Sequence, residues 1–362
     1  MLSVNALDED WDILLGMLPP SWRQAARLSG AVARLRGFDS IDGLLRVLLL
    51  HLGCGYSLRE TTVRAQAAGW AEVSDVTLLN RLRQAEGWLQ HLCRALLEES
   101  GVHWRGAQPR RRVRALDGTV IKEPGPTGSH WRIHYSLRLP ELTCDQFVLT
   151  SRKGEQTAES LERFPVAAGD LILADRGYGH PAGVAWVRRQ GGDIIVRLNS
   201  AVPLFDGEDR RFSLLAELRR LPAAGSLGQW TVRMHQGKER VEGRLCAVRK
   251  SQQGIAAAER KITKHAQKHH LRVRPETREY AHYVMVFTTL AEAEMGTAEV
   301  LEYYRFRWQI ELVFKRLKSL LAVGHLPKHD ERSSRAWLYG KLFVALLTQK
   351  VVRLGSSFSP WG

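Results

Sequence analysis

The spacing of apolar positions changes character along this chain. Up to about residue 108, Leu, Ala and Arg recur at helical intervals with few β-branched runs. Only a Pro19-Pro20 break interrupts them, which predicts an all-helical N-terminal domain. From residue 109 the pattern shortens. HWRIHYSLRL, DQFVLTSRKG and DIIVRLN read as strands, as do the runs rich in Val, Ile and Leu in VRALDGTVI and DLILADRGYG. ESLERF and PAGVAWVRRQG lie between them as helices. The order of three strands, helix, strand, helix, strand predicts an α/β sheet over residues 109–199. From 200 to 295, LGQWTVRMH, RVEGRLCAVRK and EYAHYVMVFTT predict a β-rich insertion of antiparallel strands. Helical spacing returns over 296–355, with a final amphipathic helix in SSRAWLYGKLFVALLTQKVVRL and a loosely ordered tail, SSFSPWG.

Two of these runs deliver a carboxylate. Asp117 and Asp175 each close a short apolar run and are followed by glycine within two residues, as where a strand reaches the edge of a sheet. A third acidic position lies in YRFRWQIELVFKRLK (304–318). As one α-helix with Tyr304 as origin, this segment puts Arg307 at roughly −60°, Lys318 at −40°, Glu311 at −20° and Lys315 at +20°. Ile310, Leu317 and Leu321 fall on other faces and can seat the helix in a core. Taken alone, the stripe also describes a salt-bridged surface helix, since Arg307–Glu311 and Glu311–Lys315 are i,i+4 pairs. Carboxylates on the first strand, after the fourth strand and on a late helix suit a sheet of the ribonuclease H kind.

Asp117, Asp175 and Glu311 resemble the D-D-E triad of bacterial cut-and-paste transposases, specifically the insertion-sequence-four family. That family carries the signature Y-x2-R-x3-E-x6-K, which Tyr304, Arg307, Glu311 and Lys318 match at every spacing. Lys315 falls where those enzymes often carry a second lysine. The contexts D-G-T, A-D-R-G and R-W-x-I-E agree as well. The resemblance covers residues 110 to 321, with a looser fit over the helical N-terminal part. It implies a ribonuclease H-like core interrupted by a β-rich insertion. It further implies nicking at the element's ends, attack by a 3′-hydroxyl, joining to a target, and a homodimer on the DNA. Some relatives stack an insertion tryptophan on a flipped base. Here that region is near Tyr283, which is also readable as a buried strand tyrosine, while Trp230 sits in a different strand.

Charge sharpens the picture. The chain has 362 residues, enough for two or three domains, and a net charge of +15, an excess that favours polyanionic partners. GLLRVLLLHLGCG is apolar but short, and Arg46 and His51 interrupt it, so it predicts a buried helix and no membrane association. Cys54, Cys93, Cys144 and Cys246 are widely separated and form no C-x-x-C pair, which argues against a zinc ribbon or disulfide scaffold and implies a cytoplasmic protein.

Three regions are candidates for DNA contact. Residues 57–90 hold two short helices, opened by Ser57 and Ser74, that read equally as a helix-turn-helix presenting Arg81 and Arg83 or as a helical bundle with a polar outer face. Arg110, Arg111 and Arg112 precede the Asp117 strand as a phosphate clamp or a solvated linker. ERKITKHAQKHHLRVR, which has no acidic residue between Glu259 and Glu276, reads as a phosphate-contacting arm including Lys264 and Lys268. His265 and His269 stand at i,i+4 but lack a third metal ligand nearby.

Phosphodiester transfer requires an activated water or 3′-hydroxyl and stabilisation of the leaving oxygen, which two divalent cations can provide. Three carboxylates supply the hard oxygens, so Asp117, Asp175 and Glu311 are the expected metal ligands, with two Mg2+ as cofactors and Mn2+ as a substitute. Arg307 would grip a phosphate bidentately, Lys315 and Lys318 would act as point charges, and Tyr304 would hydrogen-bond a phosphate. The competing functions are a catalytically silent DNA-binding protein derived from a transposase and a metal-dependent nuclease without strand transfer.

Overall fold

The computed structural model describes residues 11–99, 111–124, 130–151, 158–327 and 330–356. Its organising element is a single eight-stranded sheet. The strands are β1 (Arg112–Lys122), β2 (His130–Leu139), β3 (Thr143–Ser151), β4 (Asp170–Ala174), β5 (Asp193–Arg197), β6 (Leu227–Gln236), β7 (Glu239–Arg249) and β8 (Tyr283–Thr288). They lie in the order β3-β2-β1-β4-β5-β8-β7-β6. β1 pairs antiparallel with β2 and parallel with β4, and β4 pairs parallel with β5. All five residues of β4 are buried, as expected of a parallel strand covered on both faces.

The N-terminal part is helical: α1 (Trp22–Leu28), α2 (Ile41–Cys54), α3 (Leu58–Ala67), α4 (Asp75–Gln84) and α5 (Glu86–Glu99). Ser40, Ser57 and Ser74 start α2, α3 and α4 by accepting the N3 amide on the side-chain hydroxyl, at 3.0, 3.1 and 3.2 Å. The later helices are α6 (Pro181–Arg189), α7 (Leu214–Arg219), α8 (Gln252–His269), α9 (Pro275–Tyr280), α10 (Thr297–Arg305), α11 (Trp308–Leu320) and α12 (Glu331–Ser356). One continuous buried cluster joins Leu44 and Leu48 of α2, Trp88 and Leu92 of α5, Trp131 and Ile133 of β2, and Leu338 and Phe343 of α12. The N-terminal helices and one face of the sheet therefore bury each other. Val184, Val187, Leu218, Val232 and Phe287 belong to a second cluster. No helix among the described residues is long and apolar enough to cross a membrane.

Two expectations change. The strands of the 200–295 region do not stand apart: β8 pairs with β5 and β7 with β8, so they extend the same sheet. ESLERF yields only a 3-10 turn at Leu161–Arg163, because Phe164 precedes Pro165 and is held extended at φ −114°, ψ 133°. The proposed boundary at 108, Arg110 and the tail from 357 lie outside the described residues.

The extension has little tolerance at β7. A Cβ on Gly243 would stand 2.4 Å from Phe287 Cζ and 2.5 Å from the Thr288 carbonyl oxygen. Gly243→Ala is expected to destabilise the protein by about 1–3 kcal/mol, the scale of overpacking a filled site. Urea denaturation would show a lower midpoint at unchanged slope. An unshifted midpoint would contradict this packing of β7 on β8.

Candidate active site

The parallel pairing of β1 and β4 aligns Leu116 with Ala174, so the next residues along the two chains are Asp117 and Asp175. Neighbouring parallel strands in register point equivalent side chains to one face, which brings the carboxylates together from positions 58 residues apart. Asp175 comes directly after β4, as the sequence implied. Asp117 does not close its strand, because β1 continues to Lys122 through its pairing with β2.

Glu311 arrives on α11, which buries Ile310, Phe314 and Leu317 at i, i+4 and i+7. The Phe314 ring meets Tyr135 edge-on at 6.0 Å. The helix expected over 304–318 is two helices. Between α10 and α11 the amides of Phe306, Arg307, Gln309 and Ile310 each bond the carbonyl three residues back, at 3.0–3.2 Å. Such a tightened turn eclipses positions i and i+3. It stacks Arg307 on Tyr304, with Arg307 Nε donating to Tyr304 Oη at 3.2 Å.

Arg307 and Tyr304 knit the three acids together. Arg307 Nη1 donates to Asp117 Oδ2 at 3.1 Å and Nη2 to Glu311 Oε1 at 2.7 Å, while Tyr304 Oη donates to Asp175 Oδ1 at 3.1 Å. The Arg307 and Asp117 side chains are only 12% and 17% exposed, against 53% for Glu311. Burial drives the Asp117 carboxyl up to about 6, with Asp175 and Glu159 adding to the rise while the Gly118 amide and Arg307 oppose it. Burial also pushes Asp175 upward, but the Arg176 amide, Arg307, Tyr304 and Arg197 outweigh it and hold it below its ordinary value. Burial alone would lower the Arg307 pKa, yet Tyr304, Asp175, Glu311 and Asp117 together raise it.

This donor set suits a divalent cation in kind: hard carboxylate oxygens gathered about one positive charge, which Arg307 supplies. As the side chains stand, no three His, Cys, Asp or Glu groups among the described residues converge closely enough to hold a metal ion. His265 and His269, with rings 4.5 Å apart on α8, are no exception.

The other candidates divide. Lys315 and Lys318 are exposed on α11 without an ion-pair partner among the described residues, and Glu311 pairs with Arg307 rather than Lys315. Lys264 and Lys268 are exposed on α8, a helix with no fully buried residue. Arg81, expected on a DNA-reading surface, is instead buried and donates to the Arg34 and Arg36 carbonyls, so its guanidinium ties α4 to the loop before α2. Arg83 donates to Asp330 at 2.9 Å, and Asp330 accepts the Ser333 amide at the start of α12. Arg111 and Arg112 clamp carboxylates, pairing with Asp193, Glu294 and Asp170. Tyr283 is buried, and Trp230 donates its ring N–H to Glu217 at 3.0 Å.

Sequence reasoning passed over Arg197 and Lys250. A cavity of about 470 Å³ beside Asp175 is lined by Arg176, Arg197, Lys250 and Lys261. A wider one of about 1110 Å³ shares Arg197, Lys250 and Lys261 and runs to Tyr304, Arg307 and the half-exposed Trp308. The three shared cations come from β5, the position directly after β7 and α8. No spacing in the sequence relates them, and only the order β5-β8-β7 does.

A profile of the transposase DDE domain matches residues 149–347, which include Asp175 and Glu311 but begin downstream of Asp117. The InsL protein of insertion sequence element IS186A from Escherichia coli (strain K12) is 32% identical over 99% of this chain and 98% of its own length. The transposase for insertion sequence element IS421 of Escherichia coli is likewise 32% identical over 99% and 98%. Among solved structures, a cryo-EM structure of the piggyBac transposase synaptic complex with hairpin DNA aligns with TM-score 0.46 and 9% identity. That alignment covers 94% of this chain and 73% of the other.

The Asp117 carboxyl titrates higher in the folded chain than in an unfolded one, where it is near 3.9. The folded state therefore holds the proton more tightly, and this contribution, present at pH 4, is lost as pH rises through about 6. In chelator, Asp117→Asn should gain roughly 1–3 kcal/mol on the wild type between pH 4 and pH 7. Urea titrations at both pH values measure it, and a stability difference that ignores pH would refute it.

Proposed function

This chain belongs to the DDE transposases of bacterial insertion sequences, and we propose that Asp117, Asp175 and Glu311 are its catalytic triad. The observation that carries the assignment is the single network in which Arg307 bridges Asp117 and Glu311 while Tyr304 holds Asp175. The Y-x2-R-x3-E-x6-K spacing supports membership of the insertion-sequence-four family. The order β3-β2-β1-β4-β5 supports a ribonuclease H-like core. We divide the chain into an N-terminal DNA-binding part (1–108), a first core part (109–199), the sheet extension (200–295) and a second core part (296–355).

DDE transposases use divalent metal ions, and Mg2+ is our assignment, held by Asp117, Asp175 and Glu311. When bound, such ions lower the pKa of an attacking water and offset charge on the leaving oxygen. Arg307 has donors matched to two oxygens at once, so a scissile phosphate can compete with the carboxylates for the same guanidinium. Tyr304 orients that guanidinium from one side. Lys315, Lys318, Arg197, Lys250 and Lys261 flank the strand as phosphate contacts, and Trp308 offers an aromatic face for a base. Lys264 and Lys268 extend the basic track along α8. The substrate would be double-stranded DNA, the element's terminal inverted repeats and then the target, handled by a homodimer.

Glu311→Gln should lose nicking and joining of terminal-repeat DNA by about 10³-fold, the scale of removing a group that stabilises transition-state charge, while binding persists. Joined products from the wild type would separate a transposase from a nuclease that only cuts. Binding without Mg2+-dependent cleavage would sink the triad assignment. The basic cavity gives a second expectation. Replacing Arg197, Lys250 and Lys261 together by Gln should flatten the plot of log affinity against log salt by about 2–3, near 0.7–0.9 per phosphate contact. An unchanged slope would remove those residues from the DNA interface.

A further inference from the structure

Asp117 and Asp175 are each followed within two residues by a glycine that one ion pair packs against. Arg132 lies on β2 opposite Val120, and its aliphatic stem runs over Gly118, where an added Cβ would meet Arg132 Cδ at 3.2 Å. Glu159 lies over Gly177, where an added Cβ would fall 1.5 Å from Glu159 Oε2, so any side chain there would displace the Glu159 carboxylate. Arg132 Nη1 donates to Glu159 Oε1 at 2.6 Å, and the two side chains are 23% and 24% exposed. The pair thus spans from the Asp117-Gly118 unit on β1 to the Asp175-Arg176-Gly177 unit after β4. Below it, fully buried Tyr178 reaches toward Gly118 and lies 3.5 Å from His134 Nδ1, while His134 Nε2 meets Thr150 Oγ1 at 3.0 Å. With about a quarter of each side chain exposed, the pair is half-buried, so its geometry is held by packing while a lone partner keeps access to water. Nothing in β1 or β4 alone sets the distance between the aspartates beyond their backbone register, so a side-chain strut between the two glycine steps has a task to perform.

We propose that Arg132 and Glu159 are positioning residues that fix the relative placement of Asp117 and Asp175, the two aspartates assigned as ligands of a divalent cation. The inference rests on the assignment of those aspartates as metal ligands. It accounts for both glycines: D-G admits the stem of Arg132, and D-R-G admits the carboxylate of Glu159.

The test uses the full chain with Glu159→Ala, Glu159→Gln, Gly177→Ala and the double variant Glu159→Ala/Gly177→Ala. Mn2+ affinity by calorimetry, the Mn2+ concentration for half-maximal nicking, affinity for terminal-repeat DNA and the thermal midpoint are measured on each. Glu159→Ala should weaken Mn2+ binding by about 10-fold or more, the cost usual for a residue that orients a metal ligand. DNA affinity and thermal midpoint should stay near the wild type. Glu159→Gln, which can still accept from Arg132, should recover part of the affinity. Gly177→Ala should share the Glu159→Ala defect, and the double variant should be no worse than either, because both act through one contact. Wild-type Mn2+ affinity in Glu159→Ala, multiplied defects in the double variant, or losses that merely follow the thermal midpoint would overturn the proposal. A wild type that itself fails to bind Mn2+ or to nick would instead overturn the triad assignment on which it rests.

Discussion

Three carboxylates from distant parts of the chain cannot share a small space without a positive charge among them, and Arg307 supplies that charge. Its guanidinium donates to Asp117 and Glu311 and leans on Tyr304, which in turn holds Asp175. Burial makes these interactions stronger than they would be in water and makes an unpaired member costly. The opposite displacements of the two aspartates follow from the same arrangement. Asp117 is pushed up chiefly by burial, whereas Asp175 collects enough donors and cations to be held down.

The fold delivers these groups by two different means. Backbone register brings the aspartates side by side, because β1 and β4 are parallel neighbours at the centre of the sheet. Packing brings the glutamate, because Ile310, Phe314 and Leu317 fasten α11 to the core beneath it. The tightened turn between α10 and α11 is the joint between these means. It places Tyr304 and Arg307 one above the other and lets both face the aspartates.

Around the acids the molecule is strongly basic. Extension of the sheet by β8, β7 and β6 sets α8 and the residue after β7 near Asp175 and Tyr304, so Arg197, Lys250 and Lys261 line the adjoining cavities. Lys315 and Lys318 stand exposed on α11. A cleft walled by protein and lined mainly by cations concentrates a polyanion there, which gives part of the net charge of +15 a location.

What the sequence determined by itself was whatever depends on short-range geometry. The i,i+4 pairing of Arg307 and Glu311, the serine caps of the N-terminal helices and the apolar runs leading into Asp117 and Asp175 are set by neighbours a few residues apart. Tertiary structure alone decided the rest. Arg81 and Arg83 have the same local appearance as a DNA-reading pair, but one is buried against the Arg34 carbonyl and the other bound to Asp330. Arg197 and Lys250 look unremarkable in sequence and become cavity-lining cations once β8 docks on β5. The strands of the 200–295 region were legible as strands, but their partners were not. Hydrogen-bond pairing and ion pairing between distant segments depend on which surfaces meet, and local spacing carries no record of that.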